Sequence, residues 1–263
     1  MEKNFLTYNM EVNGLQQEIK FTEETIEKIF MPFLHELTDL KMTMDRKVIA
    51  YLVAPPGAGK STLAKFLEQL SRERANEVEP IRALGMDGYH FTAAYMNVTT
   101  IERDGQKILM RDVKGAPETF DVDLLVEKIR AARSEGTDWN IYDRKIHDVL
   151  PDYWSVEDDI ILLEGNYLLL KEAGWTNVRV LSDYSVFIDA EPQLLRERLI
   201  NRKVAGGKSR EEAEKFFDFS DAKNIERVLK NSARADEVWK LLPDGDFEKQ
   251  LEMRNAECVM KKI

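Results

Sequence analysis

The sequence predicts an α/β fold in which helices flank a mostly parallel sheet. From residue 47 onward, short apolar runs alternate with helical segments, and strands separated by helices need crossover connections. The runs that we interpret as strands are residues 48–53, 81–86, 139–142, 160–163, 184–188 and 237–242. A glycine-rich stretch directly after the first run supports this fold class, because parallel sheets bind ligands at the carboxyl ends of their strands.

Two elements are predicted before the first of these strands. Residues 8–21 alternate between apolar and polar side chains around Asn13-Gly14, a dipeptide that suits the positive φ angles of a hairpin turn. Thr22 is placed to cap a helix from residue 23 to about residue 41, which Pro32 is expected to bend. The pattern therefore predicts a β-hairpin followed by one helix.

These elements suggest a division of the chain into an N-terminal extension over residues 1–45 and a main α/β domain over residues 46–263. The extension is expected to cover an edge of the core, and the less favoured alternative is that it mediates a homodimer. At the other end of the chain, we expect a helix from Phe247 onward.

The composition excludes several classes of protein. The 263 residues are 43% hydrophobic, enough for a sizeable core, and the net charge of −10 argues against an extended nucleic-acid surface. Cys258 is the single cysteine, so an internal disulfide is excluded. The N-terminus lacks a signal-peptide pattern and no apolar run is long enough to span a bilayer, so we expect a cytoplasmic protein without a membrane partner.

The stretch after the first strand has the pattern of a phosphate-binding loop. Glycines at the bends let backbone N–H groups converge on a triphosphate, and Pro55 and Pro56 cannot contribute because they lack an N–H. The predicted nucleotide-binding residues are Gly57, Ala58, Gly59, Lys60, Ser61 and Thr62. Lys60 is expected to reach the β- and γ-phosphates, and the Ser61 hydroxyl is expected to bind Mg²⁺. Ala54 stands where the pattern usually has its first glycine, and an alanine tolerates the ordinary negative φ.

Two carboxylates follow other predicted strands. Asp87 comes after the second strand with Gly88 beside it, which is where a base that accepts the proton of an attacking hydroxyl belongs. The alternative is a turn residue that caps the next element, which is common for Asp-Gly. Glu164 follows the apolar residues 160–163 and is predicted to orient Mg²⁺ directly or through water.

Rings and charges after the third predicted strand indicate where an acceptor binds. They include Tyr142, Arg144 and His147, while His90 follows the second strand. For His147, a hydrogen bond within its loop is an equally good interpretation. Residues 91–118 have weak periodicity, and we interpret them as an acceptor-binding insertion.

A helix after the fifth predicted strand carries Arg198 and Arg202, which are four residues apart and share one helical face. Two glycines follow, so residues 198–212 are predicted to form a mobile lid that closes on the triphosphate and neutralises charge. The alternative is an exposed helix whose arginines pair with neighbouring glutamates.

Together these segments resemble the phosphoribulokinase/uridine kinase superfamily, which includes bacterial-type pantothenate kinases. The matching pieces are residues 56–62, 86–90, 114–121, 142–144 and 162–169, and their order is more specific than any one piece. The resemblance implies a P-loop NTPase fold and ATP-dependent phosphorylation of a hydroxyl on a small metabolite.

The resemblance also implies roles for single residues. Asp87 matches the base, Ser61 the magnesium ligand and Glu164 the acid near metal and acceptor. Arg198 and Arg202 match lid arginines, and the segment 114–121 is implied to border the acceptor pocket. Residues 87–90 read Asp-Gly-Tyr-His instead of the Asp-Ser-Phe-Tyr type of uridine kinases, which disfavours uridine as the acceptor.

We therefore expect an ATP- and magnesium-dependent kinase for an acceptor of the pantothenate, nucleoside or sugar type. The predicted catalytic residues are Lys60, Asp87 and Arg202, with Arg198 as a further nucleotide contact. The predicted acceptor contacts are His90, Lys114, Tyr142, Arg144, His147 and Tyr167. Two alternatives stay open: a kinase of a nucleotide or phosphorylated sugar, with Arg111, Lys114 and Arg144 as phosphate ligands, and an ATP-binding switch protein that transfers no phosphoryl group.

Overall fold

The N-terminus forms the predicted β-hairpin. The computed structural model describes residues 3–12, 15–103, 105–134 and 136–250. Strand β1, Phe5–Val12, pairs antiparallel with β2, Leu15–Thr22. The predicted turn residues Asn13 and Gly14 lie outside the described residues, as does Cys258.

The helix after the hairpin is interrupted, whereas one helix to about residue 41 was predicted. Helix α1, Glu23–Thr25, passes through a π-helical turn, Ile26–Phe30, into α2, Met31–Thr43. Thr22 caps it as predicted, because its hydroxyl accepts a hydrogen bond from the Thr25 N–H at 3.1 Å. Pro32 lacks an N–H and cannot donate to the carbonyl four residues earlier, so the hydrogen-bond ladder changes here.

The remaining elements alternate between strands and helices. The strands are β3 Val48–Val53, β4 Ile81–Gly85, β5 Thr100–Arg103, β6 Gln106–Leu109, β7 Thr137–Asp143, β8 Asp148–Val156, β9 Ile160–Gly165, β10 Tyr184–Asp189, β11 Glu237–Leu241 and β12 Phe247–Gln250. The helices are α3 Lys60–Glu73, α4 Ala93–Met96, α5 Val122–Ser134, α6 Trp175–Arg179, α7 Pro192–Ala205, α8 Arg210–Phe216 and α9 Ala222–Asn231. None of the helices in the described part of the chain is long and apolar enough to cross a lipid bilayer.

The central sheet is mostly parallel, as predicted. Its strand order is β12-β11-β10-β3-β9-β4, and only β12 runs antiparallel to its neighbour. All six residues of β3 are buried, which explains its uninterrupted apolar sequence. Because β3, β4 and β9 are neighbours that run in the same direction, the residues that follow them meet at one edge of the sheet.

Two further predictions about secondary structure were wrong. The run at residues 139–142 is a strand but does not join the parallel sheet, because β7 pairs antiparallel with β8 in a separate hairpin. The Trp139 indole donates a hydrogen bond to the Gly85 carbonyl at 3.0 Å and so holds this hairpin against the end of β4. Phe247 begins a strand rather than a helix over residues 247–250, because this segment pairs with β11 and the Phe247 ring packs against Phe30 and Trp239 at the sheet edge. The rest of the predicted helix, residues 251–263, lies outside the described residues.

The N-terminal elements pack against helix α3 and against strand β11 of the central sheet. Phe21 lies 5.1 Å from Phe30 and 4.7 Å from Phe66 between ring centroids, and Phe30 lies 5.6 Å from Trp239. Burial of such aromatic side chains is a large favourable term in folding. The hairpin and α2 therefore share a core with the sheet, and a dimerisation role stays a prediction.

Candidate active site

The loop between β3 and α3 has the geometry of a phosphate-binding loop. Gly57 and Gly59 have φ angles of 87° and 89°, in the left-handed region that favours glycine, and α3 begins directly afterwards at Lys60. A Cβ on Gly57 would also lie 3.0 Å from the Leu199 Cγ. Ala54 is fully buried and is not among the described residues with positive φ, so this position does not require glycine.

Lys60 and Ser61 each reach the end of β9. The Lys60 ammonium donates a hydrogen bond to the Asn166 side-chain carbonyl at 2.5 Å, and the Ser61 hydroxyl donates one to Glu164 Oε1 at 2.7 Å. Burial lowers the pKa of Lys60, and the nearby carboxylates of Glu164 and Asp87 oppose that shift. Burial raises the pKa of Glu164, and Lys60 opposes it in turn. Asn166 was not assigned a role from the sequence, although it lies within the segment that carries Glu164.

Asp87 lies in a single 3₁₀ turn, Met86–Tyr89, directly after β4. Its half-buried carboxylate makes no hydrogen bond or ion pair with any described residue, but its charge acts on Lys60 and Glu164. The turn is fixed by the neighbouring Gly88, because a Cβ at that position would overlap the backbone carbonyl of Asn140 on β7. The β7–β8 hairpin therefore holds the Asp87 turn through direct backbone contact.

A cleft of about 450 Å³ opens beside these groups, and we call it the acceptor cleft because Tyr142 and Arg144, two of the predicted acceptor contacts, line it. One wall carries Ser61, Asp87 and Glu164, and another carries residues of the β7–β8 hairpin. The hairpin residues at the cleft include Trp139, Tyr142, Arg144, Lys145, Tyr153 and Trp154. The contribution of β8 was missed because its residues are mostly exposed and give no clear strand pattern in the sequence.

Among the predicted acceptor contacts, Tyr142 and Arg144 line the cleft, whereas His90 and Lys114 lie behind Tyr142. His90 is 9% exposed, stacks on Phe120 with 3.8 Å between ring centroids, and its Nδ1 lies 2.9 Å from the Asp87 carbonyl. Burial lowers the pKa of His90. Because a carbonyl only accepts, the neutral ring donates from Nδ1 and keeps Nε2 as an acceptor.

Lys114 is held by two oxygen atoms. Its ammonium donates to the Tyr142 hydroxyl at 2.8 Å and to the His147 carbonyl at 3.1 Å, and burial lowers its pKa. His147 is exposed and has a φ of 55°. It contacts Lys114 through its backbone carbonyl and not through its ring. Arg111 is exposed and lies 3.4 Å from the Asp112 carboxylate.

Tyr167 is fully buried and does not line the acceptor cleft. Its hydroxyl donates to the Gly115 carbonyl at 2.5 Å, and its ring packs on Phe120 and Trp175. Burial raises the pKa of Tyr167 well above its ordinary value. The structure thus gives Tyr167 the position of a support for the segment that contains Lys114.

The two arginines that were predicted to belong to a lid, Arg198 and Arg202, lie on α7 beside the phosphate loop. Desolvation and the neighbouring Arg144 lower the pKa of Arg202, whose charge also acts on Lys60. Arg198 lines a second cleft of about 410 Å³ on the other side of the loop. Helix α7 ends at Ala205 with Gly206 as its C-cap, and Ser209 caps the start of α8 through a reciprocal pair of hydrogen bonds with Glu212. Lid closure stays a prediction.

The fold and the site together define a P-loop kinase: a glycine-rich loop between a buried strand and a helix, with acids at the ends of two neighbouring parallel strands. The chain belongs to the Phosphoribulokinase / Uridine kinase family, whose model matches residues 48–247.

The chain has curated relatives, and its fold is similar to that of a solved structure. The chain is 39% identical over 237 residues to "Uncharacterized protein YggC" of Escherichia coli K12, covering 90% of this chain and 96% of that one. It is 31% identical over 205 residues to "Putative uridine kinase C227.14" of Schizosaccharomyces pombe, covering 75% and 84%. The fold is similar to that of a "putative fructose transport system kinase" from Silicibacter sp. TM1040, with a TM-score of 0.67, 24% identity and coverage of 77% and 98%.

Proposed function

We propose that this protein transfers the γ-phosphoryl group of ATP to a hydroxyl of a small polar metabolite, with Mg²⁺ as cofactor. The observation that carries the proposal is the position of Asp87. Its carboxylate is free of hydrogen bonds and ion pairs within the described residues and faces the cleft that also holds Ser61 and Glu164. An uncommitted carboxylate beside a phosphate-binding loop is suited to accept a proton during phosphoryl transfer.

The phosphates are assigned to the loop and to the cations around it. Backbone N–H groups of residues 57–62 and the Lys60 ammonium bind the β- and γ-phosphates. Arg202 acts electrostatically on Lys60, and it is assigned to neutralise the group in transfer. The Asn166 amide holds the Lys60 ammonium at the end of β9, so that it is directed before the nucleotide arrives.

The residues present fit a magnesium ion. Ser61 Oγ and Glu164 Oε1 are adjacent oxygen atoms, the ligand type that Mg²⁺ prefers. No cluster of three or more histidine, cysteine or acidic side chains able to hold a metal occurs within residues 3–12, 15–103, 105–134 and 136–250. This agrees with an ion held by one or two protein oxygens together with phosphate oxygens and water. When bound, Mg²⁺ neutralises charge on the phosphates.

In the proposed reaction, the acceptor hydroxyl oxygen forms a bond to the γ-phosphorus while the bond from that phosphorus to the bridging oxygen of ADP breaks. The hydroxyl proton moves to a carboxylate oxygen of Asp87. Tyr142 and Arg144 contact the acceptor in the cleft, and His90 and Lys114 support Tyr142 from behind. The relative named "Putative uridine kinase C227.14" favours a nucleoside-sized acceptor, although residues 87–90 disfavour uridine itself, and the pantothenate and sugar types stay within the proposal.

The test is magnesium-dependent ADP release from ATP, with pantothenate, nucleosides, free sugars and glycerate added one at a time. The Asp87→Asn variant should bind ATP with unchanged affinity in calorimetry and lose turnover by about 100-fold or more. The Asp143→Asn variant is the matched control, because Asp143 also lines the cleft, on the hairpin wall, but its carboxylate accepts hydrogen bonds from the N–H groups of its own turn. Undiminished turnover by the Asp87 variant would remove Asp87 from the mechanism.

One observation favours a phosphorylated acceptor as a second candidate. Arg144 and Lys145 both line the cleft, are exposed, and have no ion pair with the described residues. Such uncommitted cations suit an acceptor that already carries a phosphate. ADP release stimulated by sugar phosphates, but not by the corresponding neutral sugars, would select this candidate. ATP binding without release for any acceptor would instead favour the switch protein.

A further inference from the structure

The N-terminal hairpin lies against both sides of the phosphate loop. From β1, Glu11 reaches the acceptor cleft. From β2, residues 18–21 line the second cleft, which we call the nucleoside cleft. Its other walls include Gly59, Thr62, Leu63, Arg198, Asp244 and Gly245. The hairpin lies outside residues 48–247, which the family model matches, and yet it contributes to a cavity beside the phosphate loop.

Side-chain contacts join the hairpin to the phosphate loop and to the opposite wall of the nucleoside cleft. The Thr62 hydroxyl donates a hydrogen bond to Gln17 Oε1 at 3.2 Å. The Thr22 hydroxyl donates to Asp246 Oδ2 at 2.8 Å, and the Lys3 ammonium lies 2.8 Å from Asp244 Oδ2. The last two contacts join the two ends of the hairpin to the turn between β11 and β12, and so they fix the distance across the cleft.

The direction of the nucleotide follows from the two clefts. A triphosphate on the loop must extend its γ-phosphate toward Asp87, since the acceptor cleft holds the proposed base and the metal ligands. The nucleoside at the other end of the chain of phosphates then has to leave on the opposite side of Gly59 and Thr62. The cavity present there is the nucleoside cleft.

The chemistry of this cleft suits a flat, partly polar heterocycle. Ile19, Phe21 and Leu63 provide apolar surface. In the described structure β2 pairs only with β1, so its outer edge offers free backbone donors and acceptors. Arg198 reaches from one wall to the other, because its guanidinium nitrogens lie 3.9 Å from the Cβ positions built on Gly59 and Gly245. A planar guanidinium without an ion pair among the described residues is suited to stack on a ring.

We propose that the N-terminal hairpin forms part of the nucleotide-binding site. Strand β2 forms the wall that contacts the base and ribose, with Ile19 as the contact residue. Gln17 is a positioning residue that holds Thr62 and thereby the loop. This inference rests on the proposed function, since it needs a triphosphate on the loop.

The first test separates the wall from the loop with two probes, ATP and inorganic tripolyphosphate, each titrated with Mg²⁺ in a calorimeter. Ile19→Ala should weaken ATP binding by about fivefold and leave tripolyphosphate within about twofold, because only ATP reaches the wall. Gln16→Ala is the matched control, since Gln16 is exposed on the other face of the same strand. Unchanged ATP affinity in the Ile19 variant would overturn the wall assignment.

The second test concerns Gln17. Gln17→Ala should weaken both probes by about threefold, because the loop and not the wall has lost its support. It should raise KM for ATP with little change in kcat, and the melting temperature without ligand should match that of Gln16→Ala. An effect on melting temperature alone, with both affinities unchanged, would make Gln17 merely structural and overturn its assignment.

The two proposals fail in different ways. If the unaltered protein binds neither ATP nor tripolyphosphate, the proposed function is wrong and the hairpin assignment falls with it. If it binds both probes and the Ile19 and Gln17 variants behave like Gln16→Ala, the kinase proposal stands and only the hairpin assignment is wrong.

Discussion

Ser61 Oγ and Glu164 Oε1 are joined by a hydrogen bond of 2.7 Å, which links the first turn of α3 to the end of β9. The two residues are 103 positions apart in the sequence, yet they provide neighbouring oxygen atoms at the phosphate loop. A short bond from a hydroxyl to a carboxylate sets the orientation of both groups before a metal binds.

This pair predicts the behaviour of Glu164→Gln. The amide keeps a hydrogen-bond acceptor for Ser61 but removes the negative charge, so turnover should fall by about 100-fold and saturate only at higher Mg²⁺. The measurement is the rate of ADP release as a function of Mg²⁺ concentration. Glu157→Gln, at an exposed position before β9, serves as the control. Unchanged magnesium dependence in the Glu164 variant would exclude this carboxylate as a metal ligand.

The packing of Gly88 predicts a structural effect on the site. In Gly88→Ala, the added Cβ meets the Asn140 carbonyl, and the β7–β8 hairpin must move away from the Asp87 turn. We expect a loss of roughly 1–3 kcal/mol in the free energy of unfolding, together with lower turnover. Urea unfolding measures the first effect. Gly206→Ala is the control, because its Cβ would meet its nearest neighbour at 3.4 Å with a φ of −81°. Equal stability of the two variants would contradict the tight contact.

The burial of His90 predicts a pH dependence of stability. Its pKa is lowered from the ordinary 6.5, so the unfolded chain binds a proton more readily than the folded one. The contribution of neutral His90 to the free energy of unfolding is present above the pKa that His90 has in the unfolded chain. It is lost as the pH falls toward the lower pKa that His90 has in the folded chain. Unfolding in urea at about pH 8 and about pH 5.5 should therefore show a smaller loss for His90→Gln than for the unaltered protein.

The control for this prediction is His35→Gln, because His35 is exposed on α2. This variant should keep the pH dependence of the unaltered protein. If both variants lose the same stability on acidification as the unaltered protein, the acid sensitivity arises from groups other than His90.

Trp154 predicts an optical signal for acceptor binding. It lines the acceptor cleft and is 51% exposed, whereas Trp139, Trp175 and Trp239 are 1%, 3% and 0% exposed. Iodide quenching of tryptophan fluorescence should therefore report mainly on Trp154 and should fall when an acceptor fills the cleft. In Trp154→Phe the protection should disappear while ADP release continues. Protection that persists in this variant would place the acceptor elsewhere.

Several features of the site were predictable from short stretches of sequence. The phosphate loop is encoded by glycines that need positive φ and by a lysine and a serine at the start of a helix. The positions of Asp87 and Glu164 followed from acids placed directly after apolar runs, because the carboxyl ends of parallel strands meet at one edge. The hairpin strands followed from their alternation and the Asn13-Gly14 dipeptide, which itself lies outside the described residues.

Other features depend on contacts between distant segments and left no local pattern. Strand β8 is mostly exposed, so its sequence does not alternate, and its place is set by pairing with β7. Phe247 looked helical in its local sequence, but packing on Phe30 and Trp239 favours a strand. Tyr167 was assigned to the acceptor from its motif, whereas its hydroxyl is engaged by the Gly115 carbonyl.

The sequence by itself thus determined the α/β class, the phosphate loop and the two acids, because these depend on backbone conformation and on the period of short runs. Only the tertiary structure decided which side chains surround them. The bond from Thr62 to Gln17, the contact of Gly88 with Asn140 and the two clefts each join segments that are 45 or more residues apart. The physical reason is that a cleft belongs to the packing of several elements, and no single stretch of chain specifies it.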